Sequence, residues 1–552
     1  LPPQATGAPV DGPLPCDGAS PAPAATVEQQ AALDRLLPAL AQFGVHLVHG
    51  VTGSGKTELY MRLIDTMLAA DKQTLVLIPE IALTPQLEQH FRRRFPERRI
   101  AALHSGLGET ARTENWLAAP GCDLLLGTRL SVFAPLPRLG LIVVDEEHDG
   151  SFKQQDGLRY SARDVAIARG KQAGVPVVLG SATPSLESYA QALNGRYRLI
   201  ELKQRAISQA RLPDIELVDL KHIPLDNGLT RPALQALADT LARGEQSLVF
   251  LNRRGYAPAL YCPSCAWVSP CPRCSARLVL HRTAHRLKCH HCGFETRIPA
   301  ECPGCGNPDL KPLGQGTQRL EETLTALLPA ARIRRIDRDT MRPRAWAALG
   351  ESVRTREVDI LLGTQMLAKG HDFPDMTLAL ILDTDGALYS PDFRATERLF
   401  AQLMQVAGRA GRADKPGRVL IQTAFPDHPL FRYLQRHDYA GYARELLAER
   451  RQLDLPPFTR QVLLRAEAAT MDAALAFLQR AAALAPESAD VSVFSATPAP
   501  MARVANLERA QLLIQSTQRQ ALQAFVRDWR PQLDGIRPRV AHWSLDIDPL
   551  VF

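Results

Sequence analysis

The sequence predicts an α/β protein with two doubly wound lobes, a cysteine-rich insertion in the second lobe, and a C-terminal α+β domain of the ferredoxin-like kind. Three observations predict it. Short apolar runs alternate with helical patterns over residues 26–430. Eight of the ten cysteines fall as four Cys-x-x-Cys pairs within residues 262–305. Beyond about residue 430 the order becomes strand, helix, strand, strand, helix, strand.

The 552 residues admit roughly three or four domains at about 150 residues each. Residues 1–25 are rich in Pro, Ala and Gly and read as an extended linker. Over 26–205, VHLVHG, QTLVLIPE, CDLLLGT, GLIVVDEE and VPVVLGSAT read as buried parallel strands joined by crossover helices, giving the first lobe. Over 206–261 and 306–430, DIELVDL, QSLVFLN, VDILLGT, TLALILD and RVLIQT repeat the spacing, giving the second lobe with 262–305 inserted. Over 431–552 the βαββαβ order suits a split βαβ domain.

With 45% hydrophobic and 22% charged residues, the composition is that of a globular protein. No apolar run reaches about 18 residues, so no membrane span is expected. The net charge of +7 admits a nucleic-acid partner, although a solvated basic surface has the same balance. The chain begins with Leu1 and shows no secretory signal pattern, so it reads as a cytoplasmic protein and as a piece of a longer one.

GVTGSGKT (50–57) follows an apolar strand and precedes a helical pattern, the context a phosphate-binding loop requires. Its residues Gly50, Val51, Thr52, Gly53, Ser54, Gly55, Lys56 and Thr57 predict an ATP site. Backbone N–H groups and the helix N-terminus face the phosphates, Lys56 reaches the β- and γ-phosphates, and the Thr57 hydroxyl ligates Mg²⁺. LGLIVVDEEH (139–148) ends a buried strand in acids: Asp145 suits Mg²⁺, and Glu146 suits a general base polarising water. QVAGRAGRA (405–413) offers Arg409 and Arg412 to stabilise transition-state charge from the second lobe, although a surface basic patch reads the same in isolation.

The cysteines are Cys262, Cys265, Cys271, Cys274, Cys289, Cys292, Cys302 and Cys305. Four knuckles make two tetrahedral thiolate sites with no open position, so two structural Zn²⁺ are expected. The gap between Cys274 and Cys289 fits one ribbon hairpin of Cys271, Cys274, Cys289 and Cys292, with Cys262, Cys265, Cys302 and Cys305 closing around it. A sequential pairing, first pair with second and third with fourth, is the alternative. His290 and His291 read as loop residues, and four clustered pairs exceed what redox chemistry needs.

GVTGSGKT, LIPEIALTPQ (77–86), GTRLSVFAPL (127–136), DEEH (145–148), LGSATPS (179–185), LVFLNRRG (248–255), LLGTQMLAKGHDFP (361–374) and QLMQVAGRAGR (402–412) stand in the order of the superfamily 2 helicase motifs, and DEEH resembles the DExH branch. The cysteine insertion, the junction LNRRGYAPALYCPSC and the closing SLDIDP (544–549) narrow the resemblance to the primosomal protein N′ (PriA) family of replication-restart helicases. That resemblance covers residues 26–552 and implies RecA-like lobes, 3′→5′ DNA unwinding, recognition and remodelling of stalled or collapsed forks, and initiation of primosome assembly. It also implies the nested zinc pairing. The partners it implies are single-stranded and forked DNA, single-strand-binding protein and other restart proteins, with the chain acting as a monomer near the nucleoid.

The resemblance assigns adenine recognition to Gln29, nucleotide coupling to Gly370 and Asp372, and single-strand contact or coupling to Arg129, His148, Ser181 and Thr183. DGSFKQQDGLRYSARD (149–164) resembles an aromatic-rich loop, in which Phe152, Lys153, Arg159 and Tyr160 suit base stacking and phosphate contact; Leu158 stands where another ring is expected. The family pattern opens with a domain capturing a DNA 3′ end and a winged helix, and the residues ahead of Gly50 hold neither. Fork recognition is the activity that departure touches; the motor is expected to persist. A DNA-stimulated translocase that separates no strands, and a zinc-ribbon scaffold with a dispensable motor, are the competing functions.

Overall fold

The computed structural model describes residues 23–79, 85–206, 211–223, 225–226, 228–252, 259–265, 267–281, 286–289, 292–313, 317–336, 343–364, 375–390, 392–411, 415–537 and 539–551. In the first lobe, strands β1 (Val45–Gly50), β2 (Gln73–Leu77), β3 (Ile100–Leu103), β4 (Leu124–Gly127), β5 (Leu139–Asp145), β6 (Val177–Ser181) and β7 (Arg198–Leu202) form one parallel sheet in the order β3-β4-β2-β5-β6-β1-β7. Both faces are covered. Ile142 and Val144 of β5 pack into one core, and Leu141 and Val143 into the other, as the two-residue strand period dictates.

The second lobe opens with β8 (Asp214–Asp219), a small hairpin of β9 (Leu225–Asp226) and β10 (Leu229–Thr230), and β11 (Gln246–Leu251). The chain then leaves the lobe for five short antiparallel strands: β12 (Ala259–Tyr261), β13 (Val279–His281), β14 (Arg286–Lys288), β15 (Glu295–Arg297) and β16 (Lys311–Leu313). It returns with β17 (Ile333–Ile336), β18 (Ile360–Gly363), β19 (Met376–Leu382) and β20 (Arg418–Thr423), closing a parallel sheet ordered β17-β18-β11-β19-β20-β8. The insertion thus sits between two strands of one RecA-like lobe, and its sheet takes in residues on both sides of 262–305.

The C-terminal sheet contains β21 (Arg460–Ala468), β22 (Val491–Val493), β23 (Thr497–Val504), β24 (Leu507–Ser516) and β25 (His542–Ile547). The order β22-β24-β21-β25, antiparallel throughout, is that of a split βαβ fold. The helices Met471–Ala483 and Arg519–Leu533 carry its core, where fully buried Trp529 donates from Nε1 to Ala481 O at 2.9 Å.

Several strands lay outside the sequence reading: the hairpin β9–β10, the five strands of the insertion, the sheet-edge strand β17, and β3, β7 and β23. β3 and β7 are the short edges of the first sheet, and β23 contains Pro498 and Pro500, which only an edge position tolerates. Two helices follow the second lobe ahead of the C-terminal sheet. The helices Pro429–Gln435 and Tyr439–Gln452 bury Leu430, Phe431, Leu434, Tyr439 and Tyr442 in the core shared by the lobes, and the C-terminal core draws on residues from Val462 onward. The pattern change near 430 marks a switch from strands to helices, which leaves the hydrophobic core continuous. Among the described residues, no helix is long and apolar enough to cross a membrane.

Candidate functional site

The phosphate loop joins β1 to the helix Lys56–Ala69. Gly53 and Gly55 adopt φ of +83° and +79°, in the left-handed region that favours glycine, and a Cβ on Gly55 would stand 2.1 Å from Gln29 Nε2. Lys56 Nζ donates to Gly50 O at 2.7 Å, folding the cation over the loop. Ser54 Oγ is buried with no partner among the described residues, an orphaned donor inside the cradle that a phosphate oxygen fits. Gln29 is 3% exposed and forms a capping box with Thr26, while its Nε2 donates to Ser54 O at 3.0 Å. Its amide therefore braces the loop from the helix Val27–Leu36.

β5 delivers the acids to the same edge of the sheet. Asp145 lies under Tyr60, whose hydroxyl donates to Asp145 Oδ1 at 3.1 Å. Tyr60 is 1% exposed, and Gly180 must lack a Cβ because one would stand 1.5 Å from the Tyr60 hydroxyl. Burial first, and the Glu146 charge second, push the Asp145 carboxyl up to about 6, while Lys56 pulls it down. Glu146 takes φ +47°, turning the chain so that its carboxylate leaves the line of Asp145. Glu146 Oε2 lies 3.5 Å from His148 Nδ1, which in turn stands 2.7 Å from Ser181 Oγ. Thr183 N–H donates to Ser181 Oγ at 2.9 Å.

The second lobe reaches this cluster. Gln405 Nε2 lies 3.5 Å from Glu146 Oε2 and 3.2 Å from His148 Nε2. A Cβ on Gly408 would approach Thr52 of the phosphate loop to 2.6 Å, so the two lobes touch at the loop itself. Arg409 stands in the turn beside Gly408. Arg412, Gly370 and Asp372 lie outside the described residues. Arg205, between the lobes in sequence, donates to Gly411 O, and the neighbouring Ala206 N–H donates to Gly53 O at 2.8 Å.

The third acid of the box has a different environment. Glu147 is 2% exposed and accepts from Ser185 N at 2.6 Å, Ser188 Oγ at 2.7 Å and Arg163 Nη1 at 3.1 Å. It pins the helix Leu186–Leu193, whose first turn meets the second lobe: Arg394 pairs with Glu187 at 2.5 Å, and Leu186 N–H donates to Glu397 Oε1 at 3.1 Å. Burial raises the Glu187 carboxyl, but Arg394, Arg450 and Arg163 together outweigh it and hold the group well below the usual carboxylate range. Tyr439 donates to Pro184 O. Ser181 and Thr183 therefore sit in a segment held from both lobes.

The loop after the box departs from the expectation of open rings and cations. Phe152 is 2% exposed in the first-lobe core, and Tyr160 packs edge-on against Phe133 at 4.8 Å. Lys153 is 5% exposed and pairs with Asp546 of β25 at 2.9 Å; Arg159 lies 3.8 Å from the same carboxylate. Arg129 Nη1 donates to Ser151 O at 2.8 Å, so this arginine holds the loop. In this structure the Phe152 ring belongs to the core, and Lys153 and Arg159 neutralise a buried acid of the C-terminal domain.

In the insertion, the sulfurs of Cys262, Cys265, Cys302 and Cys305 all lie within 4.8 Å of one another, as do those of Cys271, Cys274, Cys289 and Cys292. Cys262–Cys305, Cys265–Cys302 and Cys271–Cys292 separations are 3.6, 3.5 and 3.7 Å. A tetrahedral zinc with Zn–S near ~2.3 Å sets neighbouring sulfurs about 3.8 Å apart, so both clusters fit zinc, in the nested arrangement. The turn between β23 and β24 docks here: Ala505 N–H donates to Cys274 Sγ at 3.2 Å and Asn506 N–H to Arg273 O at 2.7 Å, while Ser275 N–H donates to Arg503 O at 2.8 Å.

Comparison with known families matches this architecture segment by segment. Residues 26–192 match the DEAD/DEAH box helicase family, 314–414 the helicase conserved C-terminal domain, 271–297 the PriA DNA helicase Cys-rich region domain, and 451–550 the primosomal protein N C-terminal domain. The chain is 43% identical to replication restart protein PriA of Haemophilus influenzae over 92% of its own length and 70% of that protein's. It is 41% identical to the Bacillus subtilis protein of the same name, over 91% of this chain and 63% of that one. The Rickettsia conorii protein of that name is 37% identical over 92% of this chain and 78% of its own length. The chain belongs to the family of the replication restart protein PriA.

Proposed function

We propose that the chain is an ATP-driven 3′→5′ DNA helicase that acts on stalled or collapsed replication forks and initiates primosome assembly there, together with single-strand-binding protein and other restart proteins. The observation that carries this reading is the junction between the lobes: the phosphate loop and acidic box of the first lobe meet Gln405 and Gly408 of the second. A nucleotide held there is touched by both lobes, so its hydrolysis changes how they sit together. Lys56 and the loop amides hold the phosphates, Glu146 orients and deprotonates water, and the role of stabilising charge on the γ-phosphate falls, by the family resemblance, to Arg409 and Arg412. Mg²⁺ held by Thr57 and Asp145 would neutralise charge on the phosphate oxygens. Gln29 braces the loop on the adenine side, and nucleotide coupling is the role that the family resemblance gives Gly370 and Asp372. His148, Ser181, Thr183 and Arg129 connect hydrolysis to the strand. Restart function follows from the names of the relatives, and polarity from the family resemblance.

Duplexes bearing a single-stranded 3′ or 5′ tail test this reading by release of a labelled strand. Release from the 3′-tailed duplex with ATP, lost in Lys56→Ala, is expected. Release confined to the 5′-tailed duplex contradicts the polarity. DNA-stimulated hydrolysis without release points to a translocase instead.

A further inference from the structure

The loop that follows the acidic box is tied down by the far end of the chain. Asp546 of β25 is 2% exposed and faces three cations: Lys153 Nζ at 2.9 Å, Arg465 Nη1 at 3.5 Å and Arg159 Nη1 at 3.8 Å. Lys153 Nζ also donates to Ile547 O at 2.6 Å and to Arg159 O at 3.3 Å, closing the loop over β25. On its other side the loop is bonded to Arg129, and Asp149 Oδ1 accepts from Ser151 N at 2.8 Å. His148 precedes the loop directly and touches Ser181 and Gln405. The C-terminal domain is thus linked, through the Asp546 carboxylate and the Ile547 carbonyl, to the residues beside Glu146.

The charge balance points to a role. Pulling the loop off Asp546 without a replacement anion leaves a buried carboxylate short of partners and exposes two cations, which is unfavourable. A nucleic-acid phosphate entering at the loop gives the two released cations a new anion, while Arg465 stays beside Asp546, so displacement costs less with DNA present than without it. We propose that Asp546 is a positioning residue that holds Lys153 and Arg159 away from the single strand until DNA phosphates displace it, so that strand binding releases the loop next to the hydrolytic acids. This rests on the reading of the chain as a DNA-driven motor.

The test is fluorescence anisotropy of a labelled oligothymidine, with basal ATP hydrolysis measured in parallel. Asp546→Asn is expected to bind the oligonucleotide roughly three- to tenfold more tightly than the parent, the range of coupling between contacting charged groups, and to raise DNA-free hydrolysis. The gain in binding should vanish in the Lys153→Gln/Arg159→Gln background, which a merely structural ion pair would not require. Binding by a folded Asp546→Asn variant that equals or falls below the parent overturns the proposal, as does a gain that survives loss of both cations. Should Asp546→Asn fail to fold, hydrogen exchange of residues 544–548 in the unmodified chain decides: faster exchange on adding oligothymidine supports displacement of the carboxylate, and unchanged exchange refutes it. If parent and variant alike bind no oligonucleotide, the motor reading falls as well; if the parent binds and the variant shows no gain, this inference alone falls.

Discussion

Replacing Glu146 by glutamine is expected to lower ATP hydrolysis by about two to four orders of magnitude, the range general-base catalysis supplies, while nucleotide binding persists. The three acids of the box differ in what surrounds them. Asp145 lies under the Tyr60 hydroxyl. Glu147 is saturated by Ser185, Ser188 and Arg163. Glu146 has a side chain 29% exposed, reachable by water, and faces His148 and Gln405. Its left-handed φ of +47° costs roughly 1–2 kcal/mol for a residue with a Cβ, which the surrounding structure sustains. Glutamine keeps the size and the contact with Gln405 but cannot take a proton. A Glu146→Gln variant that hydrolyses ATP within threefold of the parent would remove Glu146 from the reaction. A variant that no longer binds nucleotide would show that the carboxylate shapes the site instead.

The second large effect concerns metal. The chain is expected to carry two zinc ions, and Cys289→Ser is expected to carry one. Cys289 is fully buried in a small core whose other buried members are Leu260, Leu278, Leu280, Leu287, Cys271 and Cys274, with partly buried residues such as Trp267 and Phe294 packed against it. So small a core does not hold itself together, and structural zinc sites of this kind contribute on the order of 10 kcal/mol of folding free energy. The consequence extends beyond the insertion, because the β23–β24 turn bonds to Cys274 and Arg273. Hydrogen exchange should therefore rise in residues 503–506 of the C-terminal domain when the inner site is lost. Plasma emission spectroscopy reporting two zinc ions in Cys289→Ser, or protection of 503–506 unchanged after chelation, would run against this account.

How much of this was legible in the sequence depended on distance along the chain. The phosphate loop, the acidic box and the eight cysteines each carry their chemistry within a few residues, and both lobes could be read from buried apolar strands. Tyr60 was invisible because its partner Asp145 lies 85 residues away, and nothing in ELYMRL marks a buried hydroxyl. Arg205 reaches Gly411 across 206 residues, and Lys153 reaches Ile547 across 394. Phe152 illustrates the converse limit: an aromatic beside cations reads as a stacking ring, yet core burial of a ring is favourable on its own account. β23 escaped notice because its prolines argue against a strand, and only its edge position reconciles them. The SLDIDP segment looked like a family signature, and its Asp546 acquired a physical role only once the C-terminal sheet was seen against the loop.

The most direct measurement of the central claim is ATP hydrolysis by this chain with and without single-stranded DNA, against Lys56→Ala as baseline. The account predicts hydrolysis well above that baseline and strong stimulation by DNA, because the nucleotide loop, the acidic box and the second lobe already meet at one junction. Hydrolysis indistinguishable from Lys56→Ala under both conditions would contradict it.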